Sequence, residues 1–201
     1  MRLLIIRHGE SEGDVKKIHE GRADLPLTKK GEEQAKLTAE FLKKNYNVSA
    51  VYSSTLDRAK KTGECIAKEF DLDLREEPLL MDFNNGHLAG LSYDDAAEKF
   101  PGISNLPVYE SVYGQESLME FRQRADVILA RIMFENKHDD TVVIVSHSET
   151  INQLFRSFMK LSVDSDVFIH TGETGIHEWL VTDIKKYIVM SNYQQHLEKF
   201  K

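Results

Sequence analysis

Leu3-Leu4-Ile5-Ile6-Arg7-His8-Gly9-Glu10-Ser11 decides how this chain is read. Four consecutive apolar residues suit a short strand buried on both faces, the kind found in the middle of a parallel sheet. The run breaks off in an arginine and a histidine, and in open α/β sheets ligands collect at the carboxyl ends of the strands. Arg7 and His8 therefore stand where a ligand would be met. Gly9, having no side chain, lets the backbone turn sharply and lets an anion come close to the amides that follow.

A second stretch repeats the pattern. Thr141-Val142-Val143-Ile144-Val145 is β-branched throughout and ends in Ser146-His147-Ser148, so two buried strands each terminate in histidine. Thr28, followed by Glu32 and Glu33, opens a helix to about Asn45 whose Ala35, Ala39, Phe41 and Leu42 share one face. Val48 to Tyr52 reads as a strand. Ser53-Ser54-Thr55 then offers hydroxyls to cap a helix with Arg58 in its first turn. Leu72 to Leu80 reads as another strand and connection. Ser117 and Glu120 form a capping box for a helix to about Asn136, and a further helix spans Glu149 to Lys160. Ile176 to Val181 and Tyr187 to Met190 make a hairpin. The polar piece from Glu10 to Lys17 is a short helix weakened by Gly13. Residues 81–107 have little period and turns at Asn84-Asn85-Gly86, Gly90 and Pro101-Gly102, a lid or excursion around a short helix at Asp94 to Lys99. The alternation predicts one domain, residues 1–201, built as a three-layer α/β/α fold. Its central sheet is mostly parallel with at least one antiparallel strand.

Composition excludes several classes of function. With 26 Lys+Arg against 33 Asp+Glu in 201 residues, the net charge of −7 argues against a nucleic-acid or anionic-membrane partner. Cys65 is the only cysteine, so no internal disulfide can form, and a reducing, cytoplasmic setting is expected. No apolar run is long enough for a signal segment or a membrane span.

Two strand-end histidines and two arginines have a definite chemistry. The guanidinium groups of Arg7 and Arg58 can each hold two oxygens of a phosphoryl group, and they stay charged at any working pH. The same charges keep a nearby imidazole neutral and nucleophilic, able to attack phosphorus. The second imidazole is expected to be protonated against a phosphate oxygen, stabilising charge in the transition state. A carboxyl group at the edge must protonate the leaving alcohol and later deprotonate water. His19, His87, His138, His170, His177 and His196 lack metal-ligand spacing, so neither a metal nor a cofactor is expected.

Over nearly its whole length the chain resembles the histidine phosphatase superfamily, in its phosphoglycerate-mutase-like branch. The resemblance rests on Arg7-His8-Gly9-Glu10-Ser11, on Gly21 with Asp24-Leu25-Pro26-Leu27-Thr28, and on Gly31 and Gln34-Ala35. It continues in Ser53-Ser54-Thr55-Leu56-Asp57-Arg58-Ala59 with Thr62, in Gly114-Gln115-Glu116-Ser117, and in Val145-Ser146-His147. It implies that His8 is the phosphorylated nucleophile, with Arg7, Arg58 and His147 in the phosphate pocket. Ser11, Glu20 and Gly21 match residues on the substrate side, and Asp14, Arg22 and Ser148 are further candidates there. Three departures stand out. Asp14 replaces a common asparagine, Asp82 replaces a glutamate as general acid with Glu76 and Glu77 as fallbacks, and Ser148 replaces a glycine. The expected activity is metal-independent hydrolysis of a small phosphate monoester through a phosphohistidine on His8. The segment Gly90 to Gly114 is short, which favours hydrolysis over the rival phosphomutase activity. A catalytically weak phosphoryl-ligand sensor is the alternative from another class, and the sequence leaves oligomeric state open.

Overall fold

The computed structural model describes residues 1–200. Six strands, β1 (Arg2–Arg7), β2 (Ala50–Ser53), β3 (Leu74–Glu76), β4 (Thr141–Ser146), β5 (Ile176–Val181) and β6 (Lys186–Tyr193), form one sheet in the order β3-β2-β4-β1-β5-β6. The helices are α1 (Glu12–Lys16), α2 (Lys29–Asn45), α3 (Asp57–Glu69), α4 (Tyr93–Lys99), α5 (Leu118–Glu135) and α6 (Ser148–Met159). β1 to β4 pair in parallel, and β5 runs antiparallel between β1 and β6.

Strand alternation builds the three layers. On one face Leu3 and Ile5 of β1 join Val142 and Ile144 of β4 against Ile128 and Ile132 of α5 and Leu154 of α6. On the other, Leu4 and Ile6 join Val143 and Val145 against Leu42 of α2 and Ile66 of α3. Leu3 to Ile6 are completely buried, as an apolar run without polar alternation requires. Gly9 serves packing as well as turning, because a Cβ there would lie 2.4 Å from the carbonyl oxygen of Gly31 at the start of α2.

Helix entries follow the sequence with one exception. Thr28 caps α2 through the amide of Gly31, and Ser117 and Glu120 form the expected capping box on α5. The hydroxyls of Ser53 to Thr55 do not cap α3, whose N-cap is Leu56. Ser54 is taken up by His147 at 2.8 Å, and the amide of Asp57 instead donates to Asp24 Oδ1 at 2.7 Å. Beyond Leu80 the chain leaves the sheet for the expected excursion, which includes α4. It is tied to the loop after α1 by His19 N–H to Leu91 O at 2.9 Å and Gly90 N–H to His19 O at 2.8 Å. No helix among the described residues is long and apolar enough to cross a membrane.

Candidate active site

Because β1 and β4 are neighbours with Arg7 opposite Ser146, the residues after them fall side by side. The His8 and His147 rings have centroids 5.1 Å apart, and both are buried. His8 Nδ1 lies 2.7 Å from the carbonyl oxygen of Gly9. That acceptor assigns the proton to Nδ1 and leaves the lone pair on Nε2, 3.3 Å from Arg58 Nε. Burial first, then the charges of Arg7 and Arg58, holds the His8 pKa well below the ordinary imidazole value. The ring is therefore neutral, with its lone pair on Nε2.

The His147 pKa is depressed in the same way before any phosphate is bound. Burial and the nearby Arg58 charge also hold its pKa well below the ordinary value, so the ring is neutral in the pocket as it stands. Its Nε2 meets Ser54 Oγ, while its buried Nδ1 has no partner among the described residues and lies 4.0 Å from Asp82 Oδ2. Burial first, then the surrounding arginine charges, disfavours the cation here.

Arg58 is completely buried and fixed at both ends, donating to Ala23 O at 3.0 Å and Gly21 O at 2.8 Å. Its Nη2 also reaches Asp82 Oδ2 at 3.4 Å, and Glu20 lies 3.6 Å from its Nε. Arg7 donates from Nη1 to Thr171 O at 3.3 Å and pairs through Nη2 with Asp14, while its buried Nε has no partner. Arg7 Nε and His147 Nδ1 are thus both buried without partners, and the charges of Arg7 and Arg58 act on both histidine rings. Such atoms are satisfied by an oxyanion.

Asp82 closes this space, with 17% of its side chain exposed. Arg124 of α5, paired with Glu116 at 2.7 Å, donates to the carbonyls of Leu79, Met81 and Asp82 and so clamps the loop that presents the carboxyl. Burial raises the Asp82 pKa against the lowering pull of Arg58, which suits a group that must deliver a proton. The fallbacks are engaged elsewhere, Glu76 with Lys60 at 2.8 Å and Glu77 with Arg131 at 3.1 Å.

The substrate-side candidates divide. Ser11 caps α1, and Asp14 completes the capping box by accepting from Ser11 N and Oγ at 2.9 and 2.8 Å. Asp14 thus holds the helix start with one oxygen and Arg7 with the other. Glu20 lies over the pocket with Oε1 unpartnered, and burial raises its pKa despite Arg58. Gly21 has φ +47°, and a Cβ there would sit 2.0 Å from Asn85 Oδ1. Arg22 is exposed on its turn and forms no ion pair among the described residues, and Ser148, the first residue of α6, does not line the cavity. Residues not singled out from the sequence include Ser54, Asn85, Arg124, Glu149 and Thr171. Only Glu116, in the Gly114-to-Ser117 motif, carried a signal toward the clamp.

One set among the described residues offers metal-ligand atoms, with His8, Asp14 and Glu20 within 4.8 Å of one another. Arg7 and Arg58 already pair with these two carboxylates, so the positive charge that a cation would bring is supplied by guanidinium groups.

A family model described as histidine phosphatase superfamily (branch 1) matches residues 3–194. A phosphoserine phosphatase 1 from Hydrogenobacter thermophilus is 29% identical over 207 residues, covering 100% of this chain and 96% of its own. A 2,3-bisphosphoglycerate-dependent phosphoglycerate mutase from Bartonella bacilliformis is 30% identical, covering 94% and 98%. A solved phosphoserine phosphatase from Entamoeba histolytica, in complex with 3-phosphoglyceric acid, superposes with a TM-score of 0.79 at 25% identity over 98% of each chain.

Proposed function

The chain belongs to the histidine phosphatase superfamily, branch 1, and on that premise we propose that it is a metal-independent phosphatase that hydrolyses a small phosphate monoester through a phosphohistidine on His8. The observation that carries this is a neutral His8 with its lone pair on Nε2, 3.3 Å from the buried Arg58 and with its ring 5.1 Å from that of His147, while Arg7 Nε and His147 Nδ1 stay buried and unpartnered. Arg7 and Arg58 bind the equatorial oxygens. His8 Nε2 attacks phosphorus as Asp82 gives its proton to the departing alcohol oxygen. The ionised Asp82 then takes a proton from water, which attacks the phosphohistidine and releases phosphate. A bound dianion reverses the balance of charge at His147 and favours its protonated form there, where its Nδ1–H donates to the phosphoryl group.

An acid-type profile follows from the same residues. The depressed His8 pKa keeps the nucleophile available below neutrality, and the raised Asp82 pKa keeps the acid protonated further up. Rates are expected to fall as pH rises through the Asp82 value and to hold on the acidic side until His8 protonates.

Mutase activity needs a phosphoenzyme sheltered from water, and this pocket opens into a cleft. The test is a labelled ester with the parent and His8→Ala, run with a chelator present. An acid-labile, base-stable phosphoryl group on the parent alone, with release of inorganic phosphate, is expected. Conversion of 3- to 2-phosphoglycerate with little phosphate release would make the chain a mutase. Equal phosphoester binding by parent and His8→Ala without labelling would make it a sensor.

A further inference from the structure

Beyond the phosphoryl space lies a cavity of about 320 Å³, on the side where the leaving alcohol must sit. Asp14, Glu20, Asp82 and Glu149 contribute four carboxyl groups to its walls, and no lysine or arginine lines it among the described residues. Arg7 and Arg58 face the phosphoryl end. Arg124 is spent on Glu116 and backbone carbonyls, and Arg156 lies over the Phe168 ring at 4.5 Å in the adjoining hollow. With Asp82 protonated to act, three carboxylates still oppose two guanidinium groups before a phosphate dianion adds its own charge. An alcohol bearing a further anion would meet these carboxylates with no lysine or arginine on the cavity wall to balance them.

A separate observation indicates what is missing. Glu20 and Asn85 both line this cavity, and each keeps one buried acceptor, Oε1 and Oδ1, without a donor among the described residues. Buried acceptors without donors are costly, so an occupant that brings N–H or O–H groups to these side chains is favoured. The remaining walls are aromatic: Tyr93 stands edge-on to His19 with centroids 4.8 Å apart, and Phe83 lies beside Asp82. Ring faces next to carboxylates attract cations.

Resting on the phosphatase assignment above, we propose that the leaving alcohol carries a primary ammonium group and no carboxylate, making the substrate an amino-alcohol phosphomonoester. Its phosphate lies on Arg7 and Arg58, and its ammonium group donates toward Glu149, Glu20 Oε1 and Asn85 Oδ1. Ordinary phosphoglycerate chemistry, with a carboxylate on the alcohol, is disfavoured by the same walls.

The test compares initial rates for 2-aminoethyl phosphate, 2-hydroxyethyl phosphate and phosphoglycolate, with 4-nitrophenyl phosphate as reference. The amine is expected to exceed the neutral ester in kcat/KM by about tenfold and the carboxylate by about a hundredfold, the scale of one and two charge contacts. Glu149→Gln, at an exposed position, should shrink the amine's advantage over the neutral ester to about threefold, through KM rather than kcat. An amine no better than the neutral ester, a favoured phosphoglycolate, or an undiminished amine preference in Glu149→Gln would each overturn the proposal while leaving a phosphatase. Failure to hydrolyse any of the four esters would instead defeat the phosphatase assignment itself.

Discussion

Asp14 is the residue at which structure and chemistry compete most openly. It completes the capping box on α1 and also occupies Arg7, a guanidinium that the phosphoryl group needs. An incoming phosphate must share Arg7 with a carboxylate, and like charge at that spacing weakens binding. Asp14 is the third-position member of that box, and an asparagine oxygen there can still accept from Ser11 N–H, so Asp14→Asn removes the competing charge and keeps that contact. The KM for neutral esters and the inhibition constant of inorganic phosphate are expected to fall by about fivefold, on the order of 1 kcal/mol. Unchanged phosphate inhibition would mean that Asp14 moves aside at no cost. For Asp82 the expected signature is different. Asp82→Asn cannot protonate the leaving oxygen, so turnover of alkyl phosphates should drop by about 10² to 10⁴, and that of 4-nitrophenyl phosphate far less. Equal losses would point to another donor.

At the level of elements, the pocket is held by contacts that cross between segments far apart in the chain. α3 presents Arg58 from its first turn, yet its entry has no side-chain cap of its own and relies on Asp24 from the turn before α2. Asp24→Ala is expected to cost about 1 kcal/mol of stability, the ordinary worth of an N-cap. It should also raise KM, because the turn that carries Gly21 O and Ala23 O is what Arg58 grips. A stability loss with unchanged KM would show that the grip survives without the cap. These contacts also mark how far the sequence could be read. Unbroken apolar runs identify β1 and β4, and the rule that ligands meet strand ends then finds Arg7, His8 and His147 without coordinates. Thr28 and Ser117 announce their helices because the cap and its amide lie three residues apart. Asp24 and Asp57 are 33 positions apart, and Arg124 reaches back to carbonyls more than 40 positions earlier, so no local pattern reports them.

Across the whole molecule, the antiparallel strand β5 does more than widen the sheet. Its His177 sits opposite Ile5 of β1 and is completely buried. Nδ1 accepts from the amide of Asn192 on β6 at 3.2 Å, which places the ring proton on Nε2, 2.9 Å from Thr171 Oγ1. The carbonyl oxygen of that same Thr171 receives Arg7, so the ring ties both outer strands to the loop beside the phosphoryl space. Burial lowers the His177 pKa to about 4 from an ordinary 6.5. The sign is then fixed: between those values the unfolded chain binds the proton and the folded chain does not, so stability falls as pH drops from 6.5 to 4 and is fully present above 6.5. The difference amounts to about 3 kcal/mol at the lower end. His196, also lowered to about 4 by burial, and the buried His8 and His147 act in the same direction, whereas the raised pKa values of Asp82, Glu20 and Glu149 oppose it at the acidic end. Denaturant midpoints measured from pH 7.5 to 4 should therefore decline, and His177→Gln should make the decline shallower. Because protonated Nδ1 would face the Asn192 N–H, the same window should bring a rise in KM through Arg7 before the protein unfolds. A pH-independent midpoint, or a parallel decline in His177→Gln, would place the acid sensitivity elsewhere and detach β5 from the site.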